Sequence, residues 1–297
     1  MLFYAPDIVS NPQLPEAEAH HCLKVLRMQP GDTLQITDGK GNFYRAEIAG
    51  TDYQGIAGQA RNDKIQRAGN DKGRNNSVSN CCRVNILETI PQPLLWKGRI
   101  EIAMAPTKNS DRVEWFAEKA TETGVDKISF LRCRFSERKE MPIERILKIM
   151  ISAMKQSEKA RLPDLQTMTD FKKFIRQDFN GQKFIAHCYP VEKIPLAQAY
   201  GRNGNALILI GPEGDFSEEE VELAKESGFV PVSLGESRLR TETAALAACQ
   251  TIHIVNQIFD KYHFDSFKSA YLASPFPPAG QTHDDSFACR RQPPFFK

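Results

Sequence analysis

Ile210-Gly211-Pro212-Glu213-Gly214-Asp215-Phe216-Ser217, followed by Leu234-Gly235-Glu236-Ser237-Arg238-Leu239-Arg240-Thr241-Glu242-Thr243-Ala244, decides how the rest of the chain reads. Ala206-Leu207-Ile208-Leu209-Ile210 leads into the first run and Val230-Pro231-Val232-Ser233-Leu234 into the second. Both leaders have strand length, so each run is a strand end passing through a glycine-bearing loop into a helix. Glycine and a helix start leave backbone amides free, and such amides can grip a small ligand through the main chain. Ser217 and Glu220 have capping-box spacing. The second loop adds Arg238, Arg240 and Glu242, charge that packing does not require. The loops carry neither a G-x-G-x-x-G fingerprint nor a Gly-Lys-Ser/Thr phosphate loop, which excludes the two commonest nucleotide readings.

Working outward, residues 98 to about 262 alternate strand and helix patterns, which predicts a mostly parallel sheet with helices on both faces. Strands are expected at 99–105, 127–131, 184–187, 206–210 and 230–234. Helices are expected at 111–123, from Ile143 onward, after Ser217, and over 241–260. Ligands of such sheets bind beyond the carboxyl ends of the strands, where both glycine loops fall.

Residues 1–92 read as a small β-rich domain. A short helix over 19–28 ends at Gln29-Pro30-Gly31-Asp32. Thr33–Asp38 and Phe43–Ile48 then form strands about Gly39-Lys40-Gly41-Asn42. A flexible loop is expected at about 62–80, a returning strand over 83–88, and a linker at Pro91-Gln92-Pro93. A Pro-rich, disordered tail is expected over 263–297.

The 297-residue length suits two domains. No apolar run is long enough for a membrane span, and the first residues lack a secretory pattern. Seven cysteines without a C-x-x-C pair fit a reducing cytoplasm, with Cys133, Cys188 and Cys249 expected in the core. His20, His21, His187 and His253 lack metal-ligand spacing and read as packed or surface histidines, so no metal is expected. Net charge is only +2. Between Arg132 and Arg161, however, nine Lys or Arg face four Glu, the footprint expected for phosphate contacts, although taken alone such a charge run is more often a solvated helix face.

The two loops together closely resemble the signature of the knotted SPOUT methyltransferases, in particular the bacterial family that methylates N3 of a uridine in 16S ribosomal RNA. The resemblance covers about residues 15–260. It includes Ala105-Pro106-Thr107-Lys108 with Asp111-Arg112, Glu118 to Val125, and Lys155-Gln156-Ser157. At the N-terminus, His21 with Val25-Leu26-Arg27 and the Pro-Gly-Asp turn are similar to the family's PUA-like β-barrel. The resemblance implies a deep trefoil knot holding S-adenosylmethionine. Leu209, Gly211, Leu234, Gly235, Leu239 and Thr241 would line that pocket, mainly through backbone groups. It also implies a homodimer acting on 16S ribosomal RNA in the small subunit. Arg238 stands where relatives usually have an aliphatic residue, and Asp215 where a second glycine is frequent.

Uridine N3 carries a proton and is a poor nucleophile, so methyl transfer needs that proton removed or the anion stabilised. Arg240 is the candidate for stabilising charge on the uracil oxygens. Glu242 is the candidate base, or a residue that orients Arg240, or a carboxylate that merely favours the helix dipole. For RNA docking the candidates are Lys24 and Arg27 with Arg132, Arg134, Arg138, Lys155 and Arg161. Two other readings stand beside this one: a ribose 2′-O-methyltransferase on transfer or ribosomal RNA, and a catalytically silent RNA-binding ribosome-assembly factor.

Overall fold

The computed structural model describes residues 1–51 and 81–258, so the expected 62–80 loop and 263–297 tail lie outside the described residues. In the N-terminal part, β1 (Leu2–Tyr4), β2 (Thr33–Thr37), β3 (Asn42–Thr51) and β4 (Cys82–Pro91) form a four-stranded sheet in that order. β1 runs parallel to β2 and the other pairs are antiparallel. The predicted 19–28 helix is shorter and starts earlier: α1 (Glu16–His20) continues as one wide turn over His21–Val25. Arg27 closes that turn in the left-handed region at φ 55°. Phe3, Ile8, Leu14, Ile36, Ile48 and the buried Cys22 and Cys82 fill this sheet's core.

The second sheet has seven strands in the order β7-β6-β5-β10-β8-β11-β9, every pair parallel. They are β5 (Ile100–Met104), β6 (Lys127–Arg132), β7 (Asp164–Asp170), β8 (Gln182–Ala186), β9 (Ile194–Pro195), β10 (Ala206–Ile210) and β11 (Val230–Ser233). Alternation along the strands sends Ile100, Ile102, Ile208 and Ile210 to one face. There they meet α2 (Ser110–Thr123), α3 (Ile143–Gln156), α5 (Leu196–Ala199) and α7 (Thr241–Ile258). Ala103, Ala105, Leu207 and Leu209 point to the other face, against α4 (Phe171–Phe174) and α6 (Glu218–Glu226). The expectation of a parallel sheet covered on both faces therefore holds.

Five short elements escaped the pattern reading: β1, β7, α4, β9 and α5. Asp164-Leu165-Gln166-Thr167-Met168-Thr169-Asp170 is an edge strand with too few apolar residues to stand out from loop. Pro91 ends β4 rather than opening the linker.

Gly124 shows how tightly the helical layer closes. It caps α2 at φ 117° and ψ 72°, and its N–H donates to Ala120 O at 2.8 Å. Its carbonyl accepts from His253 Nε2 at 2.7 Å, and His253 stacks edge-on against Trp96 at 5.1 Å. A Cβ here would lie 2.7 Å from the Trp96 ring. Gly124→Ala is expected to cost about 2–4 kcal/mol, from the left-handed backbone and overpacking together. The melting temperature of this chain should fall by about 5–15 °C. A change below 2 °C would show that Trp96 moves aside freely.

Candidate active site

Both glycine loops lie at the carboxyl end of the parallel sheet and wall one cavity of about 830 Å³. Ile210 and Gly211 come from the end of β10, Leu234 to Arg240 from the loop after β11, Thr241 and Glu242 from the first turn of α7, and Arg112 from α2. The loop after β8, His187 to Tyr189, closes the remaining side.

Local chemistry shapes the first loop. Asp215 N–H donates to Pro212 O at 2.9 Å, and Asp215 itself takes φ 67°, a conformation Asp tolerates better than most residues. Its carboxylate accepts from Phe216 N at 2.8 Å and from Cys188 N at 2.6 Å. Asp215 thus keeps the bend and ties it to the β8 loop. Gly211 sits at a close approach: a Cβ there would lie 3.0 Å from Phe216 N, so a larger residue would have to push the loop back by a few tenths of an ångström. Ser217 and Glu220 form the predicted capping box at the start of α6. Gly235, at φ 125°, lines the cavity and has open space where a side chain would project, while its N–H donates to Ser233 Oγ at 3.2 Å and its carbonyl accepts from the same hydroxyl at 3.3 Å.

Gly211, Leu234, Gly235, Leu239 and Thr241 are all brought to this cavity. Leu209 is not. Its side chain is buried against the α4 and α6 layer, because strand alternation points it away while Ile210 faces the cavity. Arg240 is exposed at the cavity rim, its carbonyl accepting from Ala244 N at 2.7 Å as α7 begins. Glu242 is buried, and its carboxylate faces the Arg112 guanidinium at 3.7 Å. Its other oxygen, Oε2, is buried without a hydrogen-bond partner. Arg112 was part of the quoted family run but not singled out as a site residue, since its closeness to Glu242 spans 130 positions of sequence.

The expected core set of cysteines needs one correction. Cys133 and Cys249 are buried, but Cys188 is exposed on the β8 loop, whose backbone turns outward to bond Asp215. His187 is packed, in line with expectation, but it also lines the cavity and leaves both ring nitrogens unpartnered. Burial, with Lys193 and Lys225 adding to it against Asp215, holds its pKa below the usual histidine value.

The basic residues divide into groups. Lys24 and Arg27 are exposed on the turn after α1. Arg132 donates to Lys139 O, while Arg138 donates to Thr107 O and Lys108 O at 3.2 and 2.6 Å. Arg134 pairs with Glu219 at 3.0 Å. Lys108 N donates to Glu213 at 2.9 Å, so these contacts brace the loop after β5 and the segment after β6 against the first glycine loop. Lys155 and Arg161 instead join the two sheets. Lys155 pairs with Glu18 at 2.6 Å with side-chain exposures of 24% and 13%, and Arg161 donates to Lys40 O at 2.8 Å. Lys155→Ala should leave the Glu18 carboxylate half-buried without its cation and cost about 1–2 kcal/mol. A chemical-denaturation double-mutant cycle with Glu18→Ala checks this; additive losses would mean the pair contributes nothing.

Among the described residues, no cluster of His, Cys, Asp or Glu is placed to hold a metal ion. No described helix is long and apolar enough to cross a membrane.

A parallel α/β sheet with a cavity walled by two glycine loops at its carboxyl end, preceded by a small β sheet, defines the class of protein. Family comparison matches residues 95–253 to the RNA methyltransferase domain and 14–54 to the RNA methyltransferase PUA domain. The chain belongs to this RNA methyltransferase family. It is 41% identical to a probable rRNA-methyltransferase from Porphyromonas gingivalis, over 87% of this chain and 99% of that one, with a TM-score of 0.74. It is 26% identical to the ribosomal RNA small subunit methyltransferase E of Rickettsia conorii, over 84% of this chain and 92% of the relative. The Neisseria gonorrhoeae protein of that name, solved bound to S-adenosyl methionine, shares the fold at 24% identity, covering 86% of this chain and 97% of that one, with a TM-score of 0.64.

Proposed function

We propose that this protein transfers a methyl group from S-adenosylmethionine to N3 of a uridine in 16S ribosomal RNA of the small subunit. The carrying observation is the single cavity shared by the two glycine loops, with Arg240 and Glu242 at one wall. Its residues fit such a donor: open space beside Gly235 leaves room for it against the second loop, and the unpartnered buried ring nitrogens of His187 offer it hydrogen bonds. Once bound, the donor supplies a methyl group on an electrophilic sulfonium.

The chain's own residues do the rest. Gly211, Leu234, Gly235, Leu239 and Thr241 hold the donor, largely through main-chain groups. Arg240 sits beside the uracil oxygens and stabilises the charge that develops as N3 loses its proton. Glu242 Oε2 accepts that proton, while Arg112 keeps the carboxylate oriented. Lys24 and Arg27, with Arg132, Arg134 and Arg138, contact RNA phosphates, and the target base leaves its stack to enter the cavity. Lys155 and Arg161 serve this surface by joining the two sheets that carry it.

The family likeness also supports residues 1–92 as a PUA-like barrel, 98–262 as a knotted methyltransferase domain, and a cytoplasmic homodimer. Strand β10 lies between β5 and β8, with β11 beyond β8, an order that a trefoil knot at the second loop accommodates. Ile254 on α7 is exposed and would be covered by a second copy.

Incubation with small subunits lacking the modification, followed by mass mapping of the product nucleoside, tests the reading. N3-methyluridine is the expected product. Methylated ribose would select 2′-O transfer, and tight RNA binding without product would select an assembly factor.

A further inference from the structure

Two residues lining the same cavity carry buried polar atoms without partners, and they are chemically unlike. Glu242 contributes a carboxylate oxygen on the wall that holds Arg240. His187 contributes two ring nitrogens on the loop after β8, in a residue only 8% exposed. A buried nitrogen without a hydrogen bond is unfavourable, so a folded chain rarely leaves two on one ring unless something that enters the cavity completes them.

The ring is also held in place. On one side Cys188 N–H donates to Asp215 at 2.6 Å. On the other, Tyr189 packs its ring 5.5 Å from the imidazole and donates its hydroxyl to Phe216 O at 2.8 Å. Lys193 donates to Tyr189 O and pins the far end of the same loop. His187 is therefore fixed against the first glycine loop.

A neutral imidazole offers one N–H donor and one nitrogen acceptor. That suits uncharged polar groups such as ribose hydroxyls or a purine edge. It suits a carboxylate or ammonium poorly, since these groups are better met by full charges, and the cavity already supplies Arg112, Lys193, Arg238 and Arg240. A neutral ring also adds no positive charge beside a sulfonium donor.

We infer that His187 is a cofactor-specificity residue that hydrogen-bonds the adenosyl portion of the methyl donor through its uncharged imidazole. This inference rests on the donor site proposed above. Filling the ring's hydrogen bonds would make the β8 loop a third wall of the cofactor site, beside the two glycine loops.

Calorimetric titration tests it with two ligands: S-adenosylhomocysteine, and 5′-deoxy-5′-methylthioadenosine, which lacks the amino-acid portion. His187→Phe keeps an aromatic ring of similar size against Tyr189 and removes both nitrogens. It is expected to weaken both ligands by the same factor, about tenfold, or about 1.4 kcal/mol. His187→Asn retains a donor and an acceptor and is expected to recover most of that loss. Unchanged melting temperatures without ligand, within 2 °C, establish that the variants fold. A loss confined to S-adenosylhomocysteine would place the imidazole at the amino-acid end and overturn the inference. Equal affinity of wild type and His187→Phe for both ligands would return His187 to a packing role. Failure of the wild-type chain to bind either ligand would instead remove the donor site itself.

Discussion

Arg240→Ala is expected to lower the single-turnover rate of methyl transfer by about 10²–10³-fold while leaving cofactor affinity within a few fold. The size follows from what is removed. A guanidinium at the rim of the cavity stabilises charge that exists only as N3 is deprotonated, so its loss falls on the transition state and not on binding. The location supports the split. Arg240 immediately precedes α7 with its carbonyl already committed to Ala244 N, and its side chain is exposed. Truncation should therefore leave the melting temperature unchanged. Rates measured at saturating cofactor, together with calorimetry of S-adenosylhomocysteine, decide the matter. Lost cofactor affinity with a normal rate at saturation would reassign Arg240 to the donor site.

Glu242→Gln is expected to slow the same step by about 10²-fold or more, within the range for removal of a general base. Gln is nearly isosteric, so the cavity keeps its shape, but the amide cannot take a proton from N3. Two weaker roles predict different numbers. A carboxylate that merely favours the α7 dipole contributes about 0.3–1 kcal/mol to stability and nothing to rate. A residue that orients Arg240 would be found beside it, whereas Glu242 faces Arg112 at 3.7 Å and leaves Oε2 unpartnered. A rate within threefold of wild type, with a small drop in melting temperature, would sink the base assignment. Arg112→Lys then separates orientation from chemistry. A single ammonium cannot reproduce the planar guanidinium, so a partial rate loss is expected with Glu242 intact.

The division of labour between the two glycine loops was legible because each motif is local. Gly211 lies where the loop folds back closely on Phe216, and Gly235 sits at φ 125°. Such features are written at single positions. The central strands were legible for a related reason. Ile100 to Met104 and Ala206 to Ile210 are buried on both faces, so nearly every residue is apolar. The edge strand β7, wetter and mixed in composition, carries no comparable signal.

The basic stretch from Arg132 to Arg161 was harder to divide. As composition it is one patch. Only packing separates Arg138, which braces two loops beside the cavity, from Lys155, which reaches Glu18 across 137 positions. Leu209 illustrates the same point within a strand. Its neighbour Ile210 faces the cavity, and the pleat turns Leu209 toward α4 and α6.

Sequence alone determined the class of fold, the placement of both loops at strand ends, and the residue types that could do the chemistry. Those properties depend on periodicity, glycine positions and helix starts, which act over a few residues. Tertiary structure decided which groups are orphaned and which are satisfied: His187 without partners, Glu242 beside Arg112, Asp215 bonded to the β8 loop, Lys155 consumed by Glu18. Hydrogen bonds and burial join residues from distant segments, and the pairing exists only after the sheet has brought its strand ends together.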